Sequence, residues 1–189
     1  MSELNVKNGH PPIREKLQNW MWYAVQNTLF RYSPFFCFGW RRFLLRCFGA
    51  KIAKTASTGR HVRIDYPWCL EMEAGSTICN FTWLMCAGRI KLGKQAQVSE
   101  YARLISGSHD TGSSNFKGVA KPIELGAYSW VGACSVLVSG IKKLTIGEGA
   151  IVGTGSVVMR NVKPWTVVIG NPAKFLVDRE LPVGVQNKS

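Results

Sequence analysis

Aliphatic residues recur every six positions through the middle of this chain. Met72, Ile78 and Leu84 form one triplet and Leu92, Val98 and Leu104 the next. Leu125, Val131 and Leu137 follow, then Ile146, Val152 and Val158, with a weaker early triplet at Ile52, Thr58 and Ile64. Four residues after most anchors stands a small residue, among them Ser76, Thr82, Ala96, Ala102, Ser108, Ser129, Ser135, Ala150 and Ser156. Glycine directly follows many anchors, as at Gly93, Gly126, Gly132, Gly147 and Gly153. One apolar anchor in six fits neither the period of a helix nor the alternation of a half-buried strand. It fits short strands joined by tight corners, with anchor and small residue pointing inward and glycine easing the backbone at the corner. Three such strands make a turn of about eighteen residues, and turns of this kind stack into a three-sided parallel solenoid. One turn cannot bury its own core, but about five can.

The register breaks always fall after the third strand of a turn. Ile64 to Met72 and Leu84 to Leu92 span 8 residues, Leu104 to Leu125 spans 21 and Leu137 to Ile146 spans 9. All insertions therefore leave one corner, the place where solenoids carry functional loops. The longest, a protruding loop at about 110–124, begins beside His109 in "LISGSHD", with Ser108 expected as the small inward partner of Leu104. His109 is one of three histidines, with His10 and His61. A lone histidine in a glycine- and serine-rich turn reads as a turn residue or as a base, and the insertion beside it favours the base.

The flanks differ from the repeat. Residues 13–31 carry Ile13, Leu17, Trp20 and Ala24 on one stripe, with Pro34 beyond, and Trp40, Phe43, Leu44, Cys47 and Phe48 follow helical spacing up to Gly49. Two N-terminal helices are expected. They cap the open end of the solenoid, rest on a membrane surface through Arg31, Arg41, Arg42 and Arg46 and interfacial aromatics, or do both. At the other end "GNPAKFLVDREL" has Asn171 as N-cap and Pro172 as first helical residue, which predicts a short C-terminal helix. The expected organisation is a tail and helical cap over 1–50, the solenoid over 51–169, and a C-terminal helix and tail over 170–189.

Composition narrows the setting. Lys and Arg number 24 against 11 Asp and Glu, a net charge of +13 that favours anionic partners. No zinc-finger spacing or RNA-binding motif accompanies the charge, so nucleic acid is not expected. The 6 cysteines form no CxxC pair and read as reduced thiols of a cytoplasmic protein. The polar N-terminus lacks the apolar core of a signal peptide, and no run of about 18 apolar residues spans a bilayer.

The hexapeptide repeats, "SGSHD", "WVGACSVLVSGI", "IGEGAIVGTGSVV" and "PWTVVIGNPAK" together resemble the hexapeptide-repeat acyltransferases. "VRIDYPWCLEM", "RRFLLRCFGAKI" and "SHD" with the following "NF" and "KPI" resemble most the colanic acid biosynthesis acetyltransferase branch, with maltose, galactoside and nodulation O-acetyltransferases as wider relatives. The resemblance covers roughly residues 35–182. It implies a mainly β fold, a left-handed parallel β-helix; spacing alone shows three sides but not the hand. It also implies a homotrimer with active sites between subunits, and transfer of acetyl from acetyl-CoA to a carbohydrate hydroxyl, with no metal required. The acceptor expected is a precursor of an exopolysaccharide or other surface glycan, free or lipid-linked.

The same resemblance assigns residues. His109 matches the catalytic histidine, a residue type whose ordinary pKa of about 6.5 suits a general base. Gly132, Ala133, Gly153 and Thr154 match backbone positions along the pantetheine arm, flanked by Trp130, and the Gly132–Ala133 stretch is the expected oxyanion donor. Arg160 and Lys174 match basic positions near the CoA phosphates, with Arg179 a weaker candidate, although each also reads as ordinary surface charge. Asn80, Glu100 and Asp110 are acceptor-site candidates, the two acids also as orienters of His109. Met85 and Cys86 depart from the family, which often carries an acid there, and the stretch Lys142–Thr145 lengthens one corner. The rival readings are a solenoid scaffold without activity, a small acceptor such as an antibiotic, and a zinc carbonic anhydrase, which three scattered histidines do not support.

Overall fold

The computed structural model describes residues 13–180. His10 and both terminal tails lie outside the described residues. The core is a parallel β-solenoid with three faces. The first face stacks Lys51–Ile52, Leu70–Met72, Ile90–Leu92, Ile123–Leu125 and Leu144–Ile146. The second stacks Ser57–Thr58, Thr77–Ile78, Gln97–Val98, Trp130–Val131, Ile151–Val152 and Thr166–Ile169, and the third Arg63–Asp65, Trp83–Met85, Arg103–Ile105, Val136–Val138 and Val157–Val158. The anchors align in register, Ile64 on Leu84 on Leu104 on Leu137 on Val158. Nearly all are fully buried, and Ser76, Thr82, Ala96, Ala102, Ser129, Ser135, Ala150 and Ser156 join them inside. Val162 and Val168 begin a sixth, partial turn that the six-residue count stops short of.

Glycine works differently from the corner relaxation expected of it. From the second coil on, the left-handed residue of a tight corner comes three after the anchor, as at Phe81, Gln95, Tyr101, Tyr128, Cys134 and Gly149. The glycine directly after the anchor is there because the next turn passes over it. A Cβ at Gly132 would lie 2.7 Å from the Thr154 nitrogen, and one at Gly147 would collide with Pro164. Space, not dihedral freedom, selects glycine at these positions.

The first turn would expose strand edges, and the N-terminal segment closes them. Helix α1, Ile13–Val25, continues as a π-helical stretch over Gln26–Phe30, and α2 covers Phe38–Cys47. Trp22 Nε1 donates to the Ile64 carbonyl at 2.6 Å, and the Ile64 N–H donates to Gln26 Oε1 at 2.7 Å. Arg41 Nε donates to Thr58 O, Arg42 to Ala56 O and Arg46 to Ile52 O. Both expected helices are thus present and act as a cap. The same geometry removes Arg41 from the membrane reading, since it is 1% exposed. Arg42 and Arg46 also donate to the coil, while Arg46, like Arg31, remains an exposed residue. No helix of the described residues is long and apolar enough to cross a membrane.

The expected C-terminal helix is absent from the described residues. After a turn at residues 170–173 the chain runs back as a strand, Lys174–Asp178, antiparallel to Thr166–Ile169. The last strand of the second face offers an open row of backbone donors and acceptors, and "KFLVD" has the apolar and β-branched residues to pair with it. That pairing outweighs the local N-cap signal of Asn171. Arg179 then donates to the Tyr128 and Gly149 carbonyls and lies over the Trp165 ring, fastening the strand to the coil.

Candidate active site

His109 ends a short strand, Gly107–His109, that pairs antiparallel with Gly118–Ala120. This hairpin leaves the corner between the third and first faces. Its feet are fixed to the coil. The Ser106 hydroxyl lies 2.7 Å from both the Met85 and Gly88 carbonyls and accepts the Gly88 N–H at 2.9 Å. Ser139 Oγ donates to the Lys121 carbonyl at 2.6 Å. Cys86, Ser106 and Ser139, each two residues past a third-face anchor, are buried at this corner. Ser106 therefore takes the inward place expected of Ser108, which instead belongs to the hairpin. Burial pushes the Cys86 thiol well above the ordinary cysteine range, so it packs as a neutral group.

The tip of the hairpin orients the imidazole. His109 Nδ1 lies 2.9 Å from the Phe116 carbonyl, and its ring stacks on the Phe116 ring, 4.6 Å between centroids with planes 8° apart. A carbonyl only accepts, so Nδ1 of the neutral ring carries the hydrogen and Nε2 keeps its lone pair. Asp110 does not touch the ring by hydrogen bond: its Oδ1 accepts the Gly112 N–H at 3.0 Å and shapes the turn. Glu100 stands on another corner beside Cys79, whose thiol burial and then the nearby carboxylate push upward. Phe116 is the orienting residue that sequence reasoning missed, because no spacing links it to His109 until the hairpin closes.

Six of the other candidates share the corner between the second and third faces. Asn80, Glu100, Ala133 and Thr154 each stand two residues past an anchor, and Gly132 and Gly153 one residue past. Gly132 N–H donates to Val152 O at 2.8 Å and Gly153 N–H to Val168 O at 2.8 Å, so both are taken by the coil ladder. The Ala133 and Thr154 N–H groups have no partner among the described residues. Asn80 Oδ1 accepts the His61 N–H at 3.1 Å. Trp130, 46% exposed, stands on the second face, and its Nε1 donates to Ser99 Oγ at 2.8 Å. Arg160 and Lys174 line one cavity of about 860 Å³ between the last turn and the C-terminal strand, with Phe175 and Asp178. On one chain His109 and the Ala133 corner stand at opposite ends of the third face, on the order of 20 Å apart along the strand.

The decisive likeness is to the colanic acid biosynthesis acetyltransferase WcaF of Escherichia coli K12, at 36% identity over 159 residues, 84% of this chain and 86% of that protein. The chain belongs to the hexapeptide-repeat acetyltransferases, in the colanic acid biosynthesis branch. As a member of that branch it is an acyltransferase. Solved structures carry the same fold at lower identity. A maltose O-acetyltransferase from Clostridium difficile 630 matches with a TM-score of 0.80 at 18% identity, over 90% of both chains. A hexapeptide-repeat acetyltransferase of Vibrio cholerae, complexed with acetyl coenzyme A, matches with a TM-score of 0.77 at 20% identity, over 96% of this chain and 100% of that one. No family model matches the chain.

Proposed function

We propose that this acetyltransferase moves the acetyl group of acetyl-CoA directly to a carbohydrate hydroxyl, as a step in building a surface glycan. The observation that carries the reading is the bond from His109 Nδ1 to the Phe116 carbonyl, which leaves an exposed Nε2 free to take a proton. The acceptor hydroxyl attacks the thioester carbonyl carbon as its proton passes to Nε2. The tetrahedral oxyanion collects hydrogen bonds from free backbone N–H groups, for which Ala133 and Thr154 are the candidates. The C–S bond then breaks, and the CoA thiolate takes the proton back from the imidazolium. Holding both substrates in one ternary complex supplies the rest of the acceleration through proximity.

Because the base and the Ala133 corner lie at opposite ends of a face, the complete site forms between two copies, in a homotrimer. One copy lends the hairpin and its neighbour the corner. Arg160 and Lys174 then receive the CoA phosphates at the C-terminal end. The N-terminal module leaves Ile13, Trp20, Tyr32 and Phe35 at least 73% exposed. That apolar face rests on the cytoplasmic face of an anionic membrane, where a lipid-linked acceptor is presented. Sedimentation with phosphatidylglycerol vesicles tests this, with binding that weakens as salt is added. The catalytic reading is tested by mass spectrometry of glycan acceptors incubated with acetyl-CoA. An added acetyl group with the wild type and none with His109→Gln is expected; equal acetylation by both would overturn it.

A further inference from the structure

The corner that carries Asn80, Glu100, Ala133 and Thr154 does not end at Asn80. One turn earlier the same positions are Arg60 and His61. Here the corner meets the N-terminal helix, and a pocket of about 470 Å³ opens between them, lined by Tyr23, Gln26, Arg31, Arg60, His61 and Arg63. Its walls are rigid. Gln26 is bonded to Ile64, and Tyr23 donates to Asp65 Oδ1 at 2.5 Å. Arg63 is held by Asp65 at 3.3 Å and lies over the Trp83 ring. His61 is fixed by its N–H to Asn80 and by stacking on Phe81, 5.2 Å between centroids with planes 4° apart.

Two guanidiniums in this pocket lack an acidic partner. Elsewhere on the coil, ion pairs join Arg89, Lys91 and Lys143 to Glu71, Glu73 and Glu124. Arg31 and Arg60 make no ion pair and no side-chain hydrogen bond among the described residues. Asp65, the acid bonded to the pocket's Tyr23 and Arg63, is buried and already accepts from Tyr23, Arg63 and Trp83. The positive charge is felt locally: burial, and then Arg60 and Arg31, hold the His61 imidazole below the ordinary histidine range. A rigid cup with two unpaired guanidiniums and a third partly neutralised one fits a tetrahedral dianion better than a carboxylate.

We propose that the Arg31–Arg60–Arg63 pocket binds a phosphate or diphosphate group, and that this group belongs to the acceptor. The second half rests on the reading of this corner as the transfer groove, with CoA at its C-terminal end and the acceptor toward its N-terminal end. The pocket itself does not depend on that reading. The shared chemistry is a phosphate monoester or diphosphate, whether on a soluble sugar or on a membrane-embedded carrier.

The chain has three histidines, which makes side-chain NMR a direct readout. On titration with inorganic pyrophosphate, the His61 signals should move saturably and its pKa should rise, since the dianion cancels the Arg31 and Arg60 charges. Arg31→Gln and Arg60→Gln should each weaken binding by about tenfold. Both side chains are exposed and unbonded, so the fold should survive, and Arg60→Lys should recover part of the affinity. Vesicles of phosphatidylcholine with phosphatidic acid separate the sources. Movement of His61 with these vesicles indicates a lipid-borne phosphate, and movement with pyrophosphate alone a soluble one; either supports the site. His61 unmoved by both, or the Gln variants binding pyrophosphate as tightly as wild type, overturns it. His109→Gln should bind pyrophosphate like the wild type, so loss of transfer and loss of the phosphate site are read separately.

Discussion

The corners that follow the first and second faces turn in four residues in every complete coil, as at 93–96 and 99–102, while the corner that follows the third face ranges from 86–89 to 106–122. The tight corners are constrained on every side. Their glycines lie under the next turn, their small residues fill the core, and a left-handed residue closes most of the bends. The long corner has one conserved demand, a small buried residue such as Cys86, Ser106 or Ser139 where the chain leaves the third face. Beyond that point the chain is free of the repeat, and the candidate base stands there. Regular packing and chemistry are thus divided between corners of one coil. The tight second corner can offer backbone N–H groups, but a mobile acid–base side chain needs the loop.

This division predicts that substitutions at the two kinds of corner fail in different ways. His109→Gln, at the long corner, should lower kcat/KM by about 10²–10⁴ with an unchanged unfolding midpoint, measured by acetyl-CoA turnover and urea titration on the same preparation. A drop in stability of comparable size would show that the hairpin supports the coil. Gly147→Ala, at a tight corner, should do the opposite. Its Cβ would collide with Pro164, so the fifth and sixth turns must separate, at a cost of about 1–3 kcal/mol. Specific activity per folded molecule should hold at low temperature. Phe116→Ala comes next in size. The main-chain carbonyl still holds Nδ1, but the stacked ring is lost, which should lower kcat by about threefold to tenfold with the KM for acetyl-CoA unchanged. A parallel rise in that KM would mean that Phe116 contacts the donor rather than positions the base.

The same division decided how much was legible in the sequence. The three faces follow from a strict period, because each anchor must point inward and each miscount would show. The corner of the insertions was equally legible, since breaks in a period are as visible as the period itself. His109 was singled out as a candidate by its place at such a break. Its partner Phe116 was not, because a hairpin closes through a backbone carbonyl, which has no signature in side-chain spacing. The C-terminal strand was misjudged for a related reason. Asn171 and Pro172 are local signals, whereas the open edge of Thr166–Ile169 that recruits Lys174–Asp178 is a product of the finished coil. The cap arginines hide in the same way: Arg41 reads as surface charge until Thr58 is known to present an unpaired carbonyl.

The smallest expected effect lies where the long corner rejoins the first face. Arg89 and Lys143 stand at two such re-entry points, and both reach Glu124, at 2.8 and 2.6 Å, while Arg89 also lies 3.8 Å from Glu71. Burial would raise the Glu124 carboxyl, but the hydrogen bonds from Lys143 and Arg89 outweigh it and hold the group below the ordinary range. A folded-state pKa below the unfolded one means stability that is complete above the unfolded value and lost as pH falls through the folded one. The cations are about half exposed, so the network contributes under about 1 kcal/mol. Glu124→Gln should therefore unfold slightly earlier in urea at neutral pH, and the gap should close as pH falls through the lowered folded-state pKa of Glu124. It should also narrow in high salt. If the gap persisted under both conditions, Glu124 would be acting through shape. The re-entry points would then be packed as strictly as the tight corners, and the contrast between the corners would reduce to loop length alone.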